Sequence, residues 1–316
     1  MANQKPKKSG KKPASKPETK KETTELKETV AQTTITSSSV SDTADDKPMK
    51  GFFARKYPEG ENILTIFKTP KIWGALIGEV IGTMLFVMLM LTLGVQPLYL
   101  LFATACIYVA VVGLSGANLN PIVTVGMMAS RRMSAIRGVL YMLAQLLGGW
   151  VGLIIVNAFR LGSGTSLPLP EMAEISGETF WAVALVELLG AIVIAFCYAR
   201  ALRYARKSPL TFALTVTSGI TLAVIFGIVI AQSFFGFTDS FVFNPIVALM
   251  YQILPTTAEN FGELAQMAGL AVAAYVIVPV LGGVIGFYIS DIATRLSCGG
   301  YFCDCDCECG EKVCKK

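Results

Sequence analysis

Two Asn-Pro pairs, Asn120-Pro121 and Asn244-Pro245, are the residues of this chain with the clearest capacity for solute chemistry. An asparagine directly before a proline suits the start of a helix. Its side-chain oxygen accepts a backbone N–H, and proline at the first helical position strands no donor. Capping alone explains one Asn-Pro pair. It does not explain two of them on matching short apolar stretches, 120–129 and 244–253, neither of which reaches the roughly 20 residues a bilayer crossing needs. Glu79 and Glu187 come next, because both lie inside apolar runs where an unpaired charge is costly. They read as structural acceptors for loop N–H groups or as the coupling site of a proton-driven carrier. No intramembrane Lys or His offers a partner, which favours the structural role. The chain has no His at all, so the commonest general base and a common metal ligand are missing, and no enzyme is expected.

Six of the eight cysteines form a terminal cluster, Cys298, Cys303, Cys305, Cys307, Cys309 and Cys314, interspersed with Asp304, Asp306 and Glu308. Clustered thiolates suit soft or borderline metals such as zinc or Cu(I). From Cys303 to Cys309 the cysteines alternate as Cys-x-Cys, a looser pattern than the usual zinc spacing of about two to four intervening residues. Metal binding, lipidation beside the membrane and an unstructured acidic tail are all open, and no cofactor is expected elsewhere.

The elements that must position these residues are apolar helices. The composition is 53% hydrophobic and 16% charged, against about a quarter charged in soluble domains. The deficit is local: residues 1–57 are rich in Lys, Thr, Ser and Glu, whereas 72–290 carry long apolar runs. Six runs qualify as spans or nearly so: 72–93, 98–114, 136–159, 180–199, 210–231 and 264–289. The first starts far beyond where a secretory signal would sit. The Lys-rich segment before it cannot bury enough apolar surface to offset its ordering entropy. Residues 1–70 are therefore expected to be a disordered basic cytosolic tail, 71–292 the membrane domain, and 293–316 a Cys-rich cytosolic tail. A basic arm touching anionic lipid is the alternative for the first, and no nucleic-acid partner is expected.

Lys and Arg accumulate in cytoplasmic loops of membrane proteins. Here Arg131, Arg132 and Arg137 cluster at the start of span three, and Arg200, Arg203, Arg206 and Lys207 separate spans four and five. The intervening links carry no charge, or Arg160 with Glu171, Glu174 and Glu178, or Glu259 and Glu263. With six spans both termini fall in the cytosol, where a disulfide framework among the tail cysteines is not expected. The first short stretch then enters from the inside and the second from the outside. Part-way helices leave unpaired backbone groups that only protein or water can satisfy, so their meeting implies a polar path through the middle.

The two halves share landmarks in the same order. Span one has Glu79-Val80-Ile81-Gly82 and span four has Glu187-Leu188-Leu189-Gly190. The short stretches begin Asn120-Pro121-Ile122-Val123 and Asn244-Pro245-Ile246-Val247. Span three has Leu147-Gly148-Gly149 with Gly152, and span six has Leu281-Gly282-Gly283 with Gly286. Three spans per half is odd, so the second copy is inverted. The run from Ser115 to Thr124, SGANLNPIVT, resembles the first signature of the aquaporin and glycerol-facilitator family, SGAHxNPAVT. The resemblance covers about residues 72–290 and includes Glu79 to Thr83, Ala144 to Gly148, and Pro279 with its glycines.

That resemblance implies an all-α membrane protein with six transmembrane helices, two re-entrant half-helices and an inverted-repeat, aquaporin-like fold. It implies a passive channel for water or small uncharged solutes such as glycerol, in a homotetramer with one pore per subunit in the plasma membrane. Asn120 and Asn244 would donate to passing solute oxygens at mid-membrane, while backbone carbonyls around Gly116, Ala117 and Asn118 and around Val242 and Phe243 line a polar track. Glu79 and Glu187 would hold those loops. Counted from the two asparagines, the outer constriction falls on Leu100, Gln232, Phe241 and Val247. Here the chain departs from the family: Val247 replaces the usual Arg, and neither the aromatic nor the His of water-selective members is present. Ala248 stands where glycerol-type members have Asp, and Ile122 and Ile246 replace the usual Ala. Gln232 is then expected to be the constriction's side-chain hydrogen bonder. A proton-coupled secondary transporter and a non-conducting membrane protein with a metal-binding tail are the rival functions.

Overall fold

The computed structural model describes residues 66–93, 96–164, 175, 177–236, 241–251 and 260–297. The regular structure among them is helical throughout. The first half consists of α1 (Pro70–Leu93), α2 (Pro97–Ser115), the short α3 (Pro121–Ala129) and α4 (Ala135–Ser163). The second consists of α5 (Gly177–Ala201), α6 (Pro209–Ile230), the short α7 (Pro245–Met250), α8 (Phe261–Val272) and α9 (Val278–Ser297). A π-turn, Ala231–Phe235, extends α6, and a second, Ala273–Ile277, joins α8 to α9.

Local sequence sets these bounds. Proline opens α2, α3, α6 and α7 at a position where its missing N–H is no loss. Ser134, Ser208 and Asn260 cap α4, α6 and α8 by accepting the N–H of the third residue on. Gly116 ends α2 with φ +87°, a conformation that only glycine adopts without strain.

Six stretches are long and apolar enough to cross a membrane: Pro70–Leu93, Pro97–Ser115, Ala135–Ser163, Gly177–Tyr204, Pro209–Phe235 and Phe261–Leu296. The last contains α8 and α9 and is longer than the sequence suggests, because the π-turn lets one apolar run continue through a local defect. The short helices have 9 and 6 residues, and at about 1.5 Å rise per residue neither covers half of a roughly 30 Å hydrocarbon core. The second ends at Met250, earlier than the apolar pattern to 253 implies. Between 39% and 50% of each span's apolar window is buried inside the bundle. The remainder, including Trp150, Phe159 and Trp181, faces outward as lipid-facing surface does.

The inverted repeat is visible in the packing. α1 packs on α4 and α5 on α9, while α2 meets α6 across the halves. Each short helix leans on the last span of the other half, α3 on α9 and α7 on α4. Gly148 sits where a Cβ would come within 2.3 Å of the Val80 carbonyl oxygen; at Gly282 the same atom would meet the Leu188 oxygen at 2.7 Å. The residues touched follow Glu79 and Glu187, so the two halves make one contact twice.

Candidate functional site

Where α3 and α7 approach each other, their capping asparagines are cross-linked. Asn120 Oδ1 accepts the Ile122 N–H at 2.9 Å, and its Nδ2 donates to the Phe243 carbonyl at 2.8 Å. Asn244 repeats the pattern: Oδ1 accepts from Ile246 N at 3.0 Å and Nδ2 donates to the Leu119 carbonyl at 3.2 Å. Each cap therefore secures its own helix and grips the opposite loop. An Asn amide nitrogen carries two hydrogens, so each keeps one beyond this grip.

The gripped residues are strained. Leu119 and Phe243 have φ of +53° and +51°, a region costly for residues with a Cβ. Buried carboxyls hold them there. Glu79 Oε1 accepts Asn118 N–H and its Oε2 accepts Leu119 N–H, both at 2.9 Å. Glu187 Oε1 accepts Val242 N–H at 2.6 Å and shares Phe243 N–H with Oε2 at 3.2 and 3.1 Å. The Leu119 and Phe243 side chains lie against Gly82 and Gly190, where an added Cβ would approach them to 2.4 and 2.2 Å.

The halves differ around the carboxyls. Gln145 Nε2 donates to Glu79 Oε2 at 2.8 Å and to Thr124 Oγ1 at 2.9 Å, and Asn118 Nδ2 reaches the same hydroxyl at 3.3 Å. At the equivalent places the second half has Pro279 and Ala248, so among the described residues Glu187 serves backbone alone.

A cavity of about 10 Å³ opens beside the asparagine pair, on the scale of one water-sized sphere. Its wall is apolar: Phe86 and Met90 from α1, Leu100 and Tyr108 from α2, Ile194 from α5, and Ile220 and Val224 from α6. Asn120, Asn244, Val242 and Phe243 supply the polar side. Among the described residues no donor reaches the carbonyls of Ala117, Asn118, Phe241 or Val242. Gly116 and Phe243 carbonyls do accept, from Tyr198 and Asn120 respectively.

The four constriction positions counted from the sequence are only partly brought together. Leu100 lines the cavity. Phe241 stacks on Phe243 with ring centroids 5.1 Å apart and lies against Gly227. Val247 is fully buried and does not line the cavity. Gln232 is exposed on the π-turn after α6, and Ile220 and Val224 represent that helix in the wall instead.

Pro121 and Pro245 are buried in the first turns of α3 and α7. Ile122 and Ile246 do not line the cavity. They turn toward the other half's last span, where a Cβ on Gly283 or Gly149 would come within 2.6 Å of Ile122 Cγ2 or 2.4 Å of Ile246 Cγ2. Glycines on α9 and α4 thus make room for the larger side chains. The cysteine cluster from Cys298 to Cys314 lies outside the described residues. The wall residues Phe86, Met90, Tyr108, Ile194, Ile220 and Val224 carry no distinguishing sequence signal, since apolar side chains in apolar helices look alike whether they face a path, a core or lipid.

Six spans, two half-helices and an asparagine pair between inverted halves define a multi-pass integral membrane protein. The major intrinsic protein family model matches residues 66–290, and the chain belongs to that family. It is similar to a probable aquaporin PIP2-5 of Arabidopsis thaliana, 44% identical over 48 residues, 15% of this chain and 17% of that one. It is also similar to aquaporin PIP2-7 of Musa acuminata, 34% identical over 84 residues, 27% of this chain and 30% of that one. The matches thus span under a third of the length of either relative. A solved structure of the aquaglyceroporin from Plasmodium falciparum superposes with a TM-score of 0.48 at 21% identity, covering 70% of this chain and 94% of that one.

Proposed function

We propose that this protein is a passive channel for water and small uncharged solutes such as glycerol, with Asn120 and Asn244 at the centre of the path. The observation that carries this is the pair of crossed amides beside one small cavity. Each amide is fixed in orientation by two hydrogen bonds and retains a donor. Two such donors match the two lone pairs of a water or hydroxyl oxygen, while carbonyls of Ala117, Asn118, Phe241 and Val242 accept its hydrogens on either side. Each bond a solute loses is replaced by the next, and the apolar wall makes it move single file. The wall offers no fixed charge, so an ion would shed its hydration without compensation. The half-helix N-terminus at Asn120 adds a positive partial charge against cations where the family's Arg is replaced by Val247.

The same reading takes 71–292 as the channel domain between cytosolic tails 1–70 and 293–316, in a homotetramer of the plasma membrane. Its Asn-Pro-Ile sites and Val247 match neither the usual water pattern nor the usual glycerol pattern of the family. A metal held by the terminal cysteines is compatible with this function and unnecessary to it.

Stopped-flow light scattering of proteoliposomes in sucrose and then glycerol gradients tests conduction and solute size together. Water flux linear in the gradient and indifferent to pH difference is the expected outcome. Saturable flux driven by a proton gradient would instead support a carrier coupled through Glu79 or Glu187. Permeability equal to that of empty liposomes for both solutes would leave a non-conducting membrane protein.

A further inference from the structure

The helices that wall the cavity continue toward the inner ends of α2 and α5, and there the route is filled. On α5, Tyr198 stands one helical turn beyond the cavity residue Ile194. On α6, Phe212 stands two turns before Ile220. Both are fully buried, and their rings meet edge-on with centroids 5.5 Å apart. Tyr108, which lines the cavity, has its ring 6.3 Å from Phe212, so the cluster begins where the cavity ends. The Tyr198 hydroxyl lies 2.7 Å from the Gly116 carbonyl oxygen and 2.9 Å from Asn118 Oδ1. Gly116 belongs to the loop whose next carbonyls, of Ala117 and Asn118, receive no protein donor among the described residues. A side-chain hydroxyl therefore occupies an acceptor in line with those left for solute. Phe287 backs the ring, at 6.2 Å between centroids, and is itself covered by the Arg132 guanidinium at 5.4 Å.

We infer that Tyr198 is a second, inner constriction of the path, latched to Gly116 and Asn118, and that solute passes only when its hydroxyl releases them. The inference rests on the channel reading and adds to it a residue that sets the rate and the size limit. Asn118 is part of the latch: its Oδ1 faces Tyr198 and its Nδ2 faces Thr124. That ties the constriction to the polar network around Glu79.

Flux through two variants and one control tests this. Tyr198→Phe keeps the ring and its packing but removes the latch. A neutral hydrogen bond of ordinary net strength corresponds to about fivefold in a closed-to-open ratio, so water permeability is expected to rise by up to about that factor. Tyr198→Ala also removes the ring and is expected to raise glycerol permeability more than water permeability. Tyr141→Phe is the control, because its hydroxyl donates to Ser115 in the same loop at 2.9 Å but its ring lies outside the aromatic cluster. It should leave both fluxes unchanged. If Tyr198→Phe, inserted and eluting as wild type, conducts no faster than wild type, or if Tyr141→Phe accelerates flux equally, the inner constriction is refuted while the channel stands. If wild type and all variants are as tight as empty liposomes, the channel reading itself fails and this inference with it. Should Tyr198→Ala not assemble, Tyr198→Phe decides.

Discussion

Glu79→Gln is expected to destabilise the folded protein severely, while Glu187→Gln leaves it close to wild type. The contrast follows from how each carboxyl distributes its bonds. At Glu187 one oxygen, Oε1, reaches both Val242 N–H and Phe243 N–H. A glutamine carbonyl placed there keeps both partners; its NH2 group then faces the Phe243 N–H in place of an acceptor, but neither backbone donor is left unpaired. At Glu79 the donors are split: Asn118 N–H on Oε1, Leu119 N–H and Gln145 Nε2 on Oε2. Whichever way a glutamine turns, its NH2 group faces a buried donor. Each buried donor left unpaired costs about 1–3 kcal/mol, and Leu119 is also a positive-φ residue that needs its anchor. Thermal unfolding of the two purified variants in one detergent, followed by tryptophan fluorescence or loss of monodisperse elution, measures the difference. Equal melting of both variants would show that the carboxyls do not hold the loops as described.

The second large effect concerns the isoleucines beside the asparagines. Gly149→Ala would push a methyl to 2.4 Å from Ile246 Cγ2, with the next atoms at 3.6 Å. The clash is therefore with one side chain only. Overpacking of this kind costs about 1–3 kcal/mol, and Ile246→Ala alone costs about 2–5 kcal/mol for the lost packing. Combined, the two changes trade volume across one contact, so the double variant is expected to be more stable than the sum predicts. The coupling should fall within the roughly 0.5–3 kcal/mol seen for touching residues. The mirror site behaves differently. A Cβ on Gly283 would meet the Ile122 carbonyl oxygen at 2.5 Å before its Cγ2 at 2.6 Å. Backbone cannot be trimmed by mutation, so Ile122→Ala is expected to leave Gly283→Ala largely unrescued. A double-mutant cycle on melting temperature at each site checks both halves, and strict additivity at Gly149–Ile246 would refute the contact.

What the sequence made legible is the set of positions where only one residue type satisfies the physics. Carboxyls inside apolar helices, paired Asn-Pro caps and Gly-Gly pairs recur in order because each makes a contact that tolerates few substitutes. These are an acceptor for two buried N–H groups, a cap with a spare donor, and a backbone-to-backbone approach. The inverted repeat could therefore be read from three landmarks. Gln232 is less legible, because its assignment depends on a count through a loop and a π-turn, across which no sequence period carries the helical phase. Ile122 and Ile246 were visible as departures, but the direction in which they point is set by glycines on helices far along the chain. Tyr198 was unreadable for a different reason: an aromatic residue one turn from an isoleucine on an apolar helix has the signature of any buried core position. Only its two acceptors, both in the α2–α3 loop, distinguish it.

The central claim is that solute passes between the asparagine pair and the apolar wall opposite. Val224 tests it most directly: it lines that cavity, is buried, and its apolar side chain makes no hydrogen bond. Val224→Trp would therefore fill the path without disturbing either cap or either carboxyl. The measurement is osmotic water permeability of proteoliposomes carrying equal amounts of inserted wild type and variant. Wild type should shrink faster than empty liposomes, and the variant should match the empty ones. A Val224→Trp protein that conducts water as fast as wild type would contradict the path described here.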